Sequence, residues 1–134
     1  MPLGRSARTD GKGVSQLSDI VTELGYVIRE VFTPPEILHF KTDCSLLGPN
    51  EILSTKRLQA SGCFDGYKVI NVADGEEAAA NAIRVNDYVI MPAGFSKTKA
   101  ILEDHGYKVK AINNTECAKL DGGMSCLSLR LNLM

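Results

Sequence analysis

The pattern of apolar and polar positions repeats along the chain about every 40 residues. Gly-Tyr pairs begin at Gly25, Gly66 and Gly106, at intervals of 41 (25 to 66) and 40 (66 to 106) residues. Each pair leads into a short run rich in Val, Ile and Tyr, the residue types that strands favour. The pattern therefore predicts strands over 26–31, 67–72 and 107–112.

Amphipathic helices are predicted before the first and third Gly-Tyr pairs. The second of them covers 97–105, with Ser96 as its expected N-cap, and a short helix is expected within 56–62. Glycine directly after the two longer helices fits a left-handed C-terminal residue. Apolar residues lie at helical spacing in both, namely Val14, Leu17, Ile20, Val21 and Leu24 in the first, and Ala100, Ile101 and Leu102 in the second.

Further apolar stretches complete each repeat. They cover 38–47, 80–85 and 124–131, with additional strands expected at 50–55 and 87–92. The unit is thus a helix, a strand, a loop and one or two more strands. Because a unit of this size cannot bury its apolar face alone, neighbouring units must cover it. The repeat predicts an α/β fold that is an incomplete propeller or an obligate assembly.

The repeat also places the residues with reactive side chains. Thirteen residues beyond Tyr26 lies His39, and thirteen beyond Tyr107 lies Leu120, with Cys126 six residues further. In a ring of repeats, equivalent loop ends converge on one axis, where binding sites form. We therefore expect the side chains of His39 and Cys126 to meet.

A cysteine and a histidine in one site suit catalysis at a carbon that carries three heteroatoms, with a thiolate nucleophile and an imidazole acid and base. Gly122 and Gly123, just before Cys126, would let the backbone approach a ligand closely. Composition alone favours a different interpretation of Cys126, as a buried strand residue, and for His39 it gives a core histidine the same weight as a catalytic one. For His105, interaction with a helix C-terminus is expected.

Composition narrows the class of protein. Of 134 residues, 44% are apolar and 23% charged, typical of one globular domain. The net charge of −1 argues against nucleic acid as a partner. No apolar run approaches the roughly 20 residues of a membrane-spanning helix, and no secretory leader is recognisable. The cytoplasm is the expected location.

The four cysteines, at 44, 63, 117 and 126, form no CxxC pair. Both histidines, at 39 and 105, lie far from such a pair, so we expect no metal site and no cofactor. Most of the four are expected to be free thiols that pack as small hydrophobic residues.

Three segments carry a specific resemblance: 4–10 (GRSARTD), 39–46 (HFKTDCSL) and 120–128 (LDGGMSCLS). Together they closely resemble the dimethylarginine dimethylaminohydrolases, in the family's order and near its spacing. That family belongs to the guanidine-modifying superfamily (amidinotransferases, arginine deiminases; the pentein fold), whose fold is a ring of five ββαβ units. The resemblance thus implies a partial α/β-propeller, about half to three-fifths of the ring. Lys41 stands where deiminases and amidinotransferases carry an acid, which favours the dimethylargininase branch.

The resemblance implies a hydrolase that converts Nω-methylated arginines to citrulline and methylamines without a cofactor. Cys126 matches the nucleophile and His39 the general acid and base. Arg8 matches a residue that holds the substrate's α-carboxylate, and Leu120 a main-chain carbonyl that meets its amino end. Lys41 and Asp43 match no known role, so solvated or supporting positions are expected for them.

The resemblance also implies that 1–134 form the C-terminal part of such an enzyme. The family's first half supplies the carboxylates that hold the guanidinium, so the chain alone is expected to have little activity. The expected partners are a methylated arginine and either the first half or a second copy of the chain. An arginine deiminase-like or other guanidine hydrolase, and a non-catalytic guanidino-binding paralogue, remain alternatives.

Overall fold

The computed structural model describes residues 2–37, 39–126 and 128. Its strands are β1 (Pro2–Arg5), β2 (Arg29–Phe32), β3 (Cys44–Gly48), β4 (Glu51–Ser54), β5 (Lys68–Asn71), β6 (Ile83–Val85), β7 (Tyr88–Pro92) and β8 (Lys108–Ile112). Its α-helices are α1 (Gly11–Glu23), α2 (Lys56–Gln59), α3 (Ser96–Asp104) and α4 (Thr115–Ala118). Short 3₁₀ helices cover Phe40–Thr42 and Glu77–Ala80. No helix in the described part of the chain has the length and apolar character needed to span a membrane.

The strands form three small sheets with one repeated topology. β4 pairs with β3 antiparallel and with β5 parallel, and β7 pairs in the same way with β6 and β8. The remaining sheet contains β1 and β2, which are parallel. A helix connects the strands of each parallel pair. The described residues thus form two ββαβ units preceded by a βαβ unit, and the prediction of a partial propeller of ββαβ units is confirmed.

The middle sheet is apolar on both faces. Successive residues of a strand point to opposite faces, so Ile52 packs towards the first unit and Leu53 towards the third. Each unit therefore buries its apolar face against a neighbour, as the repeat predicts. The cluster around Ile52 includes Val31, Ile37, Leu58 and Phe64, and the cluster around Leu53 includes Ile70, Val89, Met91 and Leu102.

Helix α1 has the predicted amphipathic pattern but buries little of it. Val14 is buried, whereas Ile20 is 62% exposed and Leu24 is 70% exposed. The described residues give α1 only the two-stranded β1–β2 sheet to pack against, and it contacts β1 through a small area. One face of α1 is apolar in sequence, as predicted, but the described residues leave most of that face exposed.

The glycines that follow α1 and α3 have the expected left-handed backbone. Gly25 has a φ of 80° and Gly106 a φ of 86°. In each case the next residue closes the helix end: the N–H of Tyr26 donates to the Val21 carbonyl, and that of Tyr107 to Leu102, both at 3.0 Å. This repeated turn explains why the Gly-Tyr pairs mark the repeat.

The start of α3 differs from the prediction. Ser96 is the first helical residue rather than the N-cap, and Phe95 at the cap position makes no side-chain cap hydrogen bond. Instead the carboxylate of Glu76 accepts from the N–H groups of Lys97 (3.2 Å) and Thr98 (2.7 Å). A cap from a distant segment leaves no local sequence signal, which is why the prediction was wrong.

Replacing Glu76 by alanine is expected to destabilise the chain by about 1 kcal/mol, the usual cost of losing an N-terminal cap. Burial alone would raise the pKa of the Glu76 carboxyl, but hydrogen bonds from Thr98 and Lys97 bind its ionised form and lower the pKa overall. A lowered folded-state pKa means that this contribution is present above the unfolded pKa and is lost as the pH falls through the folded value. Urea unfolding at neutral pH and near pH 4 checks this, with Glu103→Ala, which alters an exposed ion pair at the other end of α3, as the control. If the two variants lose the same free energy of unfolding at neutral pH, Glu76 does not cap α3.

The expected apolar stretch over 124–131 is only partly described. Residues 124–126 form a turn rather than a strand, and 127 and 129–131 lie outside the described residues. Helix α4 was not predicted. The turn matters because it contains Cys126.

Candidate active site

The predicted site residues follow the carboxyl ends of parallel strands. Arg8 comes after β1, His39 after β2, and Leu120 and Cys126 after β8. In α/β folds with parallel strands, ligand sites form where such strand ends meet. The topology thus places these residues in loops suited to binding, and their side chains are exposed.

A tight turn presents Arg8. Backbone hydrogen bonds in both directions join Ser6 and Thr9, at 3.3 and 3.1 Å, and the Arg8 N–H donates to the Ser6 hydroxyl at 3.1 Å. Next to this turn is an open groove of about 380 Å³, lined by Ser6 and Ala7 and, after β2, by residues that include Thr33 and Ile37. Arg8 is exposed and directly follows two residues that line this groove.

His39 is exposed and precedes the 3₁₀ helix Phe40–Thr42. Its carbonyl accepts a hydrogen bond from the N–H of Thr42 at 3.0 Å, which closes the turn. The alternative of a core histidine is therefore wrong. The backbone of His39 is ordered by this turn while its imidazole faces solvent.

Asp43 fixes the far end of that turn. Its carboxylate is buried and accepts from Arg57 twice, at 2.5 Å from Nε and 2.8 Å from Nη2, and from the Thr55 hydroxyl at 2.7 Å. The hydrogen bonds to Asp43 raise the pKa of the Arg57 guanidinium. Of the two positions expected for Asp43, solvated or supporting, the structure shows the supporting one: this residue ties the segment after His39 to the start of α2.

Cys126 is exposed and lies at the end of a turn that Asn81 holds. Its N–H donates to the Gly123 carbonyl at 3.2 Å. The Asn81 side chain accepts from the Ser125 N–H at 2.9 Å and donates to the Cys126 sulfur at 3.7 Å. The interpretation of Cys126 as a buried strand residue is therefore wrong, and its thiol is accessible to a reactant.

Gly122 and Gly123 were expected to let the backbone approach a ligand, but the close contacts that they allow are within the protein. A Cβ on Gly123 would lie 2.1 Å from Nδ2 of Asn81, and one on Gly122 would lie 2.9 Å from the Cys117 carbonyl oxygen. The close approach is to groups of the protein itself. These glycines let the turn pack against Asn81 and against α4.

The loop before Cys126 is built on α4. The N–H groups of Leu120 and Gly122 both donate to the Cys117 carbonyl, at 3.0 and 2.9 Å, and the Asn114 side chain donates to the Gly122 carbonyl at 3.5 Å. Leu120 is 87% exposed at the edge of this loop. The residue therefore lies at the surface of this loop.

The described contacts bring together some of these segments. The loops after β5 and β8 meet through Asn81, whereas no hydrogen bond joins His39 to Cys126 in the part of the chain that the structure describes. The meeting of those two side chains stays a prediction. Sequence analysis missed Asn81, although the repeat pointed to it: thirteen residues beyond Tyr67 is Ala80, its immediate neighbour.

Comparison with known proteins points to one family. No family model matches the sequence. The dimethylarginine dimethylaminohydrolase of Pseudomonas aeruginosa is 36% identical over 128 residues, which cover 96% of this chain and 50% of that protein. A solved structure of the P. aeruginosa enzyme, a cysteine-to-serine mutant complexed with citrulline, matches with a TM-score of 0.89 and 35% identity over 97% of this chain and 51% of the other. The chain is homologous to the dimethylarginine dimethylaminohydrolases.

The chain spans about half the length of the dimethylarginine dimethylaminohydrolases that it matches. An amidinotransferase of the saxitoxin pathway of Microseira wollei shares the fold, with a TM-score of 0.80 at 18% identity over 93% of this chain and 42% of that one. Together these matches identify the fold as the pentein fold common to dimethylarginine dimethylaminohydrolases and amidinotransferases.

The other cysteines of this dimethylarginine dimethylaminohydrolase homologue differ from Cys126. Cys44 and Cys63 are buried, and burial raises the pKa of both thiols, that of Cys44 to about 12. Because the thiolate is the reactive form, neither suits nucleophilic chemistry.

The described residues contain no cluster of His, Cys, Asp and Glu able to hold a metal ion. His105 caps α3, with Nδ1 2.8 Å from the Ile101 carbonyl, which confirms its predicted structural role.

Proposed function

We propose that this chain is the C-terminal part of a hydrolase that converts Nω-methylated arginines to citrulline and methylamines. The observation that carries the proposal is the exposed Cys126 sulfur, held by the buried amide of Asn81 in a chain homologous to dimethylarginine dimethylaminohydrolases. An exposed thiol on a loop fixed by buried groups suits a nucleophile, because its position is set before substrate arrives.

The first half of the proposed reaction breaks a carbon–nitrogen bond. The Cys126 thiolate attacks the guanidinium carbon and forms a carbon–sulfur bond, giving a tetrahedral adduct. His39, as imidazolium, donates a proton to the dimethylamino nitrogen, and dimethylamine leaves with the electron pair of the broken bond. The product of this half is a thiouronium group bound to Cys126.

The second half uses water. His39, now neutral, takes a proton from a water molecule whose oxygen attacks the same carbon. The adduct collapses, the carbon–sulfur bond breaks with its electrons on sulfur, and the hydroxyl proton of the adduct passes to solvent, so that citrulline and the Cys126 thiolate result. One water is consumed, and one dimethylamine and one proton are released, which combine in solution as dimethylammonium. His39 ends as imidazolium, as it began.

Arg8 and Leu120 bind the amino-acid end of the substrate in this proposal. The Arg8 guanidinium provides a forked donor for the α-carboxylate. Leu120, an exposed residue, provides its main-chain carbonyl as an acceptor for the α-ammonium. These contacts would orient the substrate so that its far end, the guanidinium, reaches Cys126.

A buried guanidinium needs carboxylate partners. We assign these to the first half of the relatives, which this chain does not contain, so a fragment carrying that half is the proposed partner. Four free cysteines fit a reducing compartment, and the cytoplasm is the proposed location.

The test is reconstitution. The chain is mixed with a fragment of the P. aeruginosa relative that carries the other half, and citrulline formation from asymmetric dimethylarginine is measured. We expect turnover only from the mixture. A stable complex of the two fragments that binds dimethylarginine but forms no citrulline would reject a hydrolase function, and rapid turnover by this chain alone would reject the assignment of the carboxylates to the other half.

A further inference from the structure

We propose that Asn81 is the positioning residue of Cys126: its amide orients the sulfur and donates to it a hydrogen bond that is stronger when the sulfur is charged. Oδ1 fixes the turn before the cysteine, and Nδ2 donates a hydrogen bond to the sulfur. The inference rests on the proposed role of Cys126 as the nucleophile.

Asn81 is anchored in the core. It is 5% exposed and follows the 3₁₀ helix Glu77–Ala80, with Ala79 and Ala80 at 0% exposure before it and Ala82 at 2% after it. These alanines belong to the apolar cluster between the second and third units. A short side chain on such a segment has little freedom, so its amide is a fixed reference point for the exposed loop.

The orientation of the amide follows from its partners. The Ser125 N–H can only donate, so the oxygen of Asn81 must face it, at 2.9 Å. The NH₂ group then points towards the Cys126 sulfur, 3.7 Å away. Because hydrogen bonds to charged acceptors are stronger than those to neutral ones, this donor favours the thiolate over the thiol.

Gly123 completes the contact. Its absent side chain makes room for the Asn81 amide, since a Cβ there would lie 2.1 Å from Nδ2 and 2.4 Å from the carboxamide carbon. The turn and the amide therefore fit together only in this combination. The close fit shows that the amide sits inside the turn rather than beside it.

In the proposed reaction the same donor acts twice. It favours the charged form of the sulfur that attacks the guanidinium carbon. It then stabilises the charge that returns to sulfur when the carbon–sulfur bond breaks and citrulline leaves. A hydrogen bond made more strongly to the charged form thus assists both steps.

The carboxylates on the elements around Asn81 and the turn have other contacts or are exposed. Glu76 binds the N–H groups at the start of α3, and Glu77 accepts from the Gly75 N–H at 3.1 Å. Asp121, which shares the loop with Cys126, is exposed. Among the described residues, the Asn81 amide is the polar side chain in hydrogen-bond contact with the sulfur.

The deciding variant is Asn81→Asp in the 134-residue chain. One aspartate oxygen can still accept from the Ser125 N–H. The other oxygen replaces the NH₂ group that donates to the sulfur and brings a negative charge. With Cys117→Ser as the background, and Cys44 and Cys63 buried, iodoacetamide labelling reports on Cys126. We expect the alkylation rate at neutral pH to fall about tenfold or more, the effect of losing one hydrogen bond to a charged group, and the pH profile of alkylation to move to higher pH.

The matched control is Asn114→Asp. Asn114 holds the same loop through the Gly122 carbonyl but does not touch the sulfur, so its variant should leave the pH profile in place. Urea unfolding of each variant separates loss of the fold from loss of the donor. An unchanged profile in a folded Asn81→Asp chain, or an equal shift in Asn114→Asp, would overturn the inference.

A second pair of variants covers the case in which Asn81→Asp does not fold. Gly123→Ala should slow alkylation of Cys126 in the native background, because the new methyl group displaces the amide. In an Asn81→Ala background it should have little further effect, because the clash is gone. Equal effects in the two backgrounds would reject the contact.

The result is separable from the proposed function because alkylation requires no turnover. If Asn81 controls the sulfur but the reconstituted protein forms no citrulline, the hydrolase proposal fails and the contact stands. If citrulline forms but the alkylation profile does not respond to Asn81, the inference fails alone.

Discussion

Replacing Cys126 by serine is expected to lower the rate of citrulline formation in the reconstituted enzyme by at least about a thousandfold, as removal of a covalent nucleophile does. The sulfur is exposed and held in its turn by the buried amide of Asn81. A serine hydroxyl at this site is a far weaker nucleophile than a thiolate. Dimethylarginine binding should change much less than turnover, since the turn that carries residue 126 is made by backbone groups and by Asn81.

The matched control is Cys117→Ser. Cys117 is half-buried and lies in α4, where its carbonyl rather than its thiol supports the loop before Cys126. This variant should retain most of the activity. The measurement is citrulline release by each variant mixed with the complementary fragment, together with calorimetric titration of dimethylarginine. Comparable activity of the two serine variants would remove Cys126 from the mechanism.

Replacing Arg57 by methionine is expected to destabilise the chain by about 2–4 kcal/mol. Breaking a buried ion pair costs about 3–5 kcal/mol because the remaining charge is left unpaired. We discount this range because the Arg57 side chain is 43% exposed, so water can reach part of the vacated space. Among the described residues, Asp43, with 2% side-chain exposure, would keep the Thr55 hydroxyl as its one side-chain donor.

The neighbouring residue provides the control. Lys56 forms an ion pair with Asp74 in which both side chains are largely exposed, so Lys56→Ala should change the free energy of unfolding by only about 0.5 kcal/mol. Adding Asp43→Asn to Arg57→Met should recover part of the loss, because the unpaired charge is gone. Urea unfolding of these three variants and the unchanged chain measures this. If Arg57→Met costs no more than Lys56→Ala, the buried pair does not hold the segment after His39.

The repeat and the fold class could be predicted because both arise from local patterns. The Gly-Tyr pairs mark helix ends whose left-handed glycine and following strand depend on adjacent residues. The period of about 40 residues, the strands after each pair and the need for each unit to pack on a neighbour are all confirmed. The exposed face of α1 differs, since a pattern records which residues are apolar and not what covers them.

The predictions that failed concern polar groups with partners far along the chain. The cap of α3 is Glu76, about 20 residues before the helix, and the partner of Asp43 is Arg57 on another element. Asn81 and Cys126 are 45 residues apart. The sequence around either residue does not reveal such a pair, because a buried hydrogen bond requires only that two groups meet after folding.

The sequence by itself determined the repeating α/β architecture and the resemblance to the dimethylarginine dimethylaminohydrolases, and it predicted His39 and Cys126 as the reactive side chains. Only the tertiary structure decided which of them are exposed and what holds them: the buried Asp43–Arg57 pair behind His39 and the buried Asn81 amide under Cys126. The physical reason is that helices, strands and turns follow from neighbouring residues. The burial of a polar group and the partner that satisfies it depend on the packing of whole units against one another.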